Sequence, residues 1–94
     1  MRRQFYVYIL TNNNNTVLYT GVTSDLSSRL YEHESGIGSV FTSAYKVKKL
    51  VYYEVHDNPE SAISREKYIK GKKRKYKEGL VNKMNPNWAA LKDC

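Results

Sequence analysis

Apolar and polar positions alternate twice near the start of the chain, and a cluster of asparagines separates the two runs. FYVYILT (residues 5–11) and TVLYTGVT (residues 16–23) are rich in β-branched and aromatic residues. Between them lie Asn12, Asn13, Asn14 and Asn15. Asn tolerates left-handed backbone and closes its own turns, so the pattern predicts a β-hairpin. With the four Asn as the loop, Thr11 faces Thr16, Tyr8 faces Tyr19 and Tyr6 faces Gly21. Side chains alternate along a strand, so Tyr6, Tyr8, Tyr19 and Gly21 share one face. Phe5, Val7, Ile9, Leu18, Thr20 and Val22 share the other, which is apolar enough to be core. The tyrosine face has two readings: cross-strand aromatic packing, or two phenols set beside a glycine for chemistry.

The period then changes. Thr23-Ser24-Asp25 offers N-cap chemistry, and a helix is predicted over about residues 25–34, ending at Ser35-Gly36. Leu26 and Leu30 would anchor it to the sheet. Arg29 and His33 are four apart and lie one above the other. Residues 36–48 read as a loop, with Gly and Ser/Thr for mobility. LVYYEVH (residues 50–56) is a third strand, in which Val51, Tyr53 and Val55 alternate against Tyr52, Glu54 and His56.

Asn58 as N-cap, Pro59 at the first helical position and Glu60 in the first turn start another helix. It carries Ala62, Ile63, Glu66 and Ile69 on adjoining positions, so Glu66 projects beside an apolar stripe. Burial disfavours a carboxylate's charge unless a cation or metal meets it. Gly71 breaks the run, and a short helix with Tyr76, Leu80 and Val81 is predicted over about residues 74–83. Asn85-Pro86-Asn87-Trp88 then turns the chain, and Trp88 and Leu91 fold back onto the domain. The order ββαβαα gives the α+β class: a small three-stranded antiparallel sheet with helices packed against it.

Composition narrows the function. The 94 residues make a single domain, 1–94. The one cysteine, Cys94, excludes an internal disulfide framework and a Cys-based zinc site, and fits a reduced, cytoplasmic setting. No apolar run is long enough to span a membrane, and no signal-peptide core is present. The formal charge is +7, and its surplus is clustered. Lys46, Lys48 and Lys49 form one group; Lys67, Lys70, Lys72, Lys73, Arg74, Lys75 and Lys77 form a denser one. With nine tyrosines interleaved, such clusters suit phosphate backbones and stacked bases. The plainer alternative is a solvated, lysine-rich helix face. A membrane-surface role is disfavoured, because the basic run lacks a broad apolar stripe opposite it. There is no Gly-rich phosphate loop and no HExxH, and two histidines are too few for a dedicated zinc site. Tyr8, Tyr19, Arg29, His33 and Glu66 remain as the chemistry-bearing set.

The spacing Tyr-x10-Tyr-x-Gly, an Arg ten residues after the second Tyr and a Glu on a later helix resembles the GIY-YIG nuclease domain. Tyr6-Val7-Tyr8 stands for the first element and Tyr19-Thr20-Gly21 for the second. Asp25-Leu26-x-x-Arg29-x-x-x-His33 and Arg65-Glu66-x-x-Ile69-Lys70 match the two helix elements. Asn85-Pro86-x-Trp88 looks like the tail of the small stand-alone bacterial members. The resemblance covers nearly the whole chain. Tyr6 replaces the family's Gly and Thr20 its Ile, at positions that carry no chemistry.

The resemblance implies phosphodiester hydrolysis with one divalent cation, Mg2+ or Mn2+, held by Glu66. It assigns phosphate charge to Arg29, water activation to Tyr19, proton traffic to Tyr8 or His33, and close approach to Gly21. A phenol is a poor base at neutral pH, so Tyr19 needs cationic neighbours or only positions the water. Asn85 is the first choice for the family's late asparagine, with Asn82 the alternative and a turn-forming role before Pro86 equally open. Plainer roles are a surface salt bridge for Arg29, an exposed helix position for His33 and pairing with Lys70 for Glu66. The expected function is a DNA nuclease of low sequence specificity, taking single-stranded or branched DNA at least as readily as duplex. Lys46, Lys48, Lys49, Lys70, Lys72, Lys73 and Arg74 would hold the nucleic acid. The alternatives are a catalytically silent nucleic-acid-binding module, and a nuclease subunit whose protein partner supplies specificity.

Overall fold

Strands β1 (Phe5–Thr11) and β2 (Leu18–Thr23) form the expected antiparallel hairpin, with a register two residues away from that of a four-asparagine loop. The computed structural model describes residues 3–35 and 44–91. In it Tyr8 faces Gly21, Leu10 faces Tyr19 and Thr11 faces Leu18. Asn12 causes the difference. Its Oδ1 accepts from the backbone N–H of Thr16 (2.8 Å) and Val17 (3.2 Å), and its amide donates to Thr16 Oγ1 (2.7 Å). Those bonds take Thr16 and Val17 out of the ladder and into the loop. Asn15 takes a left-handed φ of 57°, and Thr11 Oγ1 donates to the Val17 carbonyl at 2.7 Å. Because strand side chains repeat every two residues, this slip leaves each one on its expected face.

Strand β3 (Lys49–His56) pairs antiparallel with the other edge of β1, giving the order β2-β1-β3. Lys49, one residue before the predicted strand, begins it. Of the loop predicted before it, residues 36–43 lie outside the described residues. Ile9 faces Tyr52 but Leu10 faces Leu50, so Val51 is an extra residue in a bulge. A bulge breaks the alternation, and Val51 joins Tyr52 on one side of the sheet instead of joining Tyr53 and Val55.

Helix α1 (Leu26–Glu34) starts at Asp25, whose Oδ1 accepts from Ser28 N–H at 3.1 Å. Helix α2 (Pro59–Lys70) starts at Asn58, which caps Ser61 N–H at 2.7 Å, and ends at Gly71. Helix α3 is Arg74–Met84. The sheet is covered on both faces, and each face has its own core. Leu26 and Leu30 of α1 pack over Tyr8, Leu10 and Leu50. On the opposite face Ala62 and Ile69 of α2 and Val81 of α3 pack over Val7, Ile9, Val51 and Tyr52. Ile63, expected in that stripe, is exposed. Trp88 and Leu91 do fold back, and Leu91 N–H donates to the Leu50 carbonyl at 2.8 Å.

Two arginines fasten the elements together. Arg65 of α2 grips Glu54 of β3 through Nε (3.0 and 3.1 Å) and Nη2 (2.9 Å), and donates to the Tyr76 hydroxyl of α3 at 3.3 Å. Burial opposes the Glu54 charge, but hydrogen bonds from Arg65, Tyr52 and His56 outweigh it and hold the carboxyl below its ordinary range. Arg74 donates to the Thr16 and Asn15 carbonyls of the hairpin loop, each at 2.7 Å, and to Glu78 at 2.6 Å.

Gly21 is required by close approach. A Cβ there would run into the hydroxyl and Cζ of Tyr8. Tyr8 is buried among packed side chains and has no room to retreat, so Gly21→Ala should destabilise the fold by about 1–3 kcal/mol. Urea unfolding of the variant measures this, and stability equal to that of wild type would contradict the packing described.

Candidate active site

Tyr8, Tyr19 and His33 meet on the sheet face that α1 covers. The central strand β1 presents Tyr8, the edge strand β2 presents Tyr19, and the last turn of α1 brings in the imidazole. The Tyr8 hydroxyl lies 3.4 Å from His33 Nε2. The His33 ring sits edge-on to both tyrosines, with centroids 6.2 Å from Tyr8 and 5.6 Å from Tyr19. Tyr8 and His33 are each only 1% exposed, so His33 is not the surface helix residue of its plainer reading.

That burial decides the protonation states. Burial first, then the neighbouring Tyr19, Glu32 and Glu66, push the Tyr8 phenol far above the ordinary tyrosine range, against the opposing charge of Arg29. Burial and the Arg29 guanidinium hold His33 below the usual histidine range, against Glu32. At neutral pH a neutral phenol therefore faces a neutral imidazole, and the pair can hand on a proton without burying a charge.

The charges of Arg29 on α1 and Glu66 on α2 bear on Tyr8 in opposite directions, the first favouring and the second opposing its ionisation. Arg29 pairs with Glu32 at 3.5 Å, and both side chains are about two-fifths exposed. Such a solvated pair contributes little, so the guanidinium can be recruited by a stronger anion. Glu66 is 9% exposed, and its Oε2 lies 2.7 Å from Lys70 Nζ, the pairing that its plainer reading expects. The same ammonium lies 6.0 Å from the centre of the Tyr19 ring. Glu66 is thus a nearly buried carboxylate already matched to a cation. Among the described residues no group of three His, Cys, Asp or Glu could enclose a metal. A lone carboxylate suits a hard cation that keeps waters and takes further oxygens from a phosphate, so the residues present fit Mg2+ or Mn2+ and not a structural zinc.

Asn85 is placed differently. It is buried at the end of α3, where its amide donates to the Val51 (3.2 Å) and Ala89 (2.8 Å) carbonyls and its Oδ1 accepts from Ala89 N–H. Its amide thus binds backbone on the α2/α3 side of the sheet. Asn82 accepts from Trp88 Nε1 at 2.6 Å. Among the predicted nucleic-acid contacts, Lys46, Lys48, Lys72 and Lys73 are exposed and Lys49 is half-buried. Arg74 holds the hairpin loop, as described above. Sequence reasoning missed Glu32, whose signal is its place three residues after Arg29. It also missed the Glu54–Arg65 clamp, whose partners lie eleven residues apart on separate elements.

The chain is similar to known proteins over most of its length. A model of the GIY-YIG catalytic domain matches residues 4–85. A UPF0213 protein of Clostridium perfringens is 42% identical over 77 residues, 82% of each chain. A UPF0213 protein of Haloquadratum walsbyi is 37% identical over 81 residues, 86% of this chain and 90% of that one. The solution NMR structure of a UPF0213 protein from Bacillus halodurans superimposes with a TM-score of 0.58 at 32% identity, covering 90% of this chain and 89% of the other.

The lowered pKa of His33 gives a signed prediction. The unfolded chain takes up this proton near pH 6.5, whereas the folded chain does so only at lower pH. Its contribution to stability is complete above that value and declines as pH falls from there towards the folded value. Urea unfolding at pH 7.5 and 5.5 should show a smaller acid-side loss for His33→Asn than for wild type. Equal losses would show that His33 does not titrate as described.

Proposed function

The chain belongs to the GIY-YIG catalytic-domain family, whose domain is of nuclease type, and we propose that it is a single-domain DNA phosphodiesterase using one divalent cation, Mg2+ or Mn2+. The observation that carries this reading is one side-chain cluster. The Tyr8 hydroxyl meets His33 Nε2, the His33 ring packs edge-on to both tyrosines, and the ammonium paired with Glu66 lies 6.0 Å from the Tyr19 ring centre.

Each residue then has a role that its surroundings support. Glu66 would hold the ion, which when bound supplies Lewis-acid stabilisation of phosphate charge. Tyr19 orients the attacking water, whose oxygen forms the new bond to phosphorus as the sugar oxygen leaves. A proton of the water enters the neutral His33–Tyr8 pair as another leaves it for the departing sugar oxygen. Arg29 leaves its solvated partner Glu32 and offers its planar fork to the phosphate oxygens as negative charge develops. Asn85 serves by holding the β3 bulge and the chain after α3 in place, without meeting the substrate.

Lys46, Lys48, Lys49, Lys72 and Lys73, with Lys70, bind the phosphate backbone, and Arg74 adds charge while it keeps the loop. Contacts of that kind position a strand without reading its bases, which is why we propose low sequence specificity. Tyr31 and Tyr68 are largely or half exposed and can stack on unpaired bases, so single-stranded or branched DNA is favoured. No helix among the described residues is long and apolar enough to cross a membrane, and we place the activity in the cytoplasm. Any choice of sequence would fall to a protein partner.

The test is cleavage of labelled single-stranded, duplex and branched DNA in Mg2+, Mn2+ or EDTA. Glu66→Ala and Arg29→Ala should each lower cleavage by at least about 100-fold with the fold intact, and Tyr19→Phe should impair it. Wild-type turnover in Glu66→Ala would contradict the site. Binding without cleavage under every condition would point to the silent binding module.

A further inference from the structure

Resting on the nuclease reading, we infer that Lys70 is an exchangeable counter-ion that occupies Glu66 in the metal-free protein and yields it when the divalent cation binds. Three observations carry this. Lys70 Nζ sits 2.7 Å from Glu66 Oε2, and the Glu66 side chain is 11% exposed. A divalent ion bound to that same oxygen would repel the ammonium at contact distance and so favour its withdrawal. Lys70 is the last residue of α2, and its side chain is half exposed. Its flexible four-carbon stem can therefore withdraw the ammonium without moving the helix that carries Glu66. The ammonium also lies 6.0 Å from the Tyr19 ring centre.

The pair therefore does two things in turn. Without metal, the Lys70 ammonium occupies the nearly buried Glu66 carboxylate. With metal, the displaced ammonium is released beside Tyr19, where an incoming phosphate can take it up. Cation and nucleic acid consequently favour each other's binding, since each removes one partner from the resting pair.

Mn2+ binding without nucleic acid tests the inference, read by calorimetry and by loss of the free-ion spin-resonance signal at fixed ionic strength. Lys70→Gln should bind Mn2+ about two to five times more tightly than wild type. Lys67→Gln removes the same charge from the exposed neighbour of Glu66 and should change affinity less than about twofold. Equal affinities for wild type and Lys70→Gln would overturn the counter-ion role while leaving the metal site standing. Equal tightening in both lysine variants would overturn it as well, by reducing the effect to overall charge. Absence of Mn2+ binding in all three, with Glu66→Gln no different, would overturn the metal-site reading itself and the inference with it.

Discussion

The structure depends on burying one phenol, that of Tyr8, at the centre of a three-stranded sheet. Polar groups leave water at a cost unless they are paired, and a charged group there would cost far more. Tyr8 meets that constraint by facing a glycine across the hairpin and a neutral imidazole from α1. Gly21 gives the ring its space and His33 gives the hydroxyl its partner. α1 must cover this face, and its Leu26 and Leu30 do so, which also brings Arg29 within electrostatic reach. The packing that stabilises this half of the core thereby assembles the candidate site.

Much of this was legible in the sequence because it follows from local rules. The grouping of Tyr6, Tyr8, Tyr19 and Gly21 follows from strand alternation, and the helix starts follow from Asp25 and from Asn58-Pro59. What was not legible depends on single side chains that rewrite a local rule. Asn12 bonds to Thr16 and Val17 and lengthens the loop, so Tyr8 faces Gly21 in place of Tyr19. The bulge at Val51 moves one residue across the sheet. Asn85 and Arg74 have polar groups that suit chemistry as well as they suit scaffolding, and only their partners' positions reveal that they hold carbonyls.

The basic residues divide accordingly. Arginine, with its planar fork, is used where geometry is fixed: Arg65 on Glu54, and Arg74 on the hairpin loop. Lysine remains at the surface as a mobile charge, as at Lys46, Lys48 and Lys73, and Lys72 rests its ammonium 4.6 Å from the Tyr68 ring centre. The net charge of +7 is thus partly scaffold and partly a field for an anionic partner. Lys70 stands between the two uses, since it is paired yet half exposed.

The central proposal is that a divalent cation binds at Glu66, whose partner Lys70 lies 6.0 Å from the Tyr19 ring centre. Paramagnetic broadening of backbone amide signals by substoichiometric Mn2+ tests it directly. The account predicts broadening centred on Glu66, Lys70 and Tyr19, with Ala89 much less affected. Broadening that is uniform, or centred away from Glu66, would contradict it.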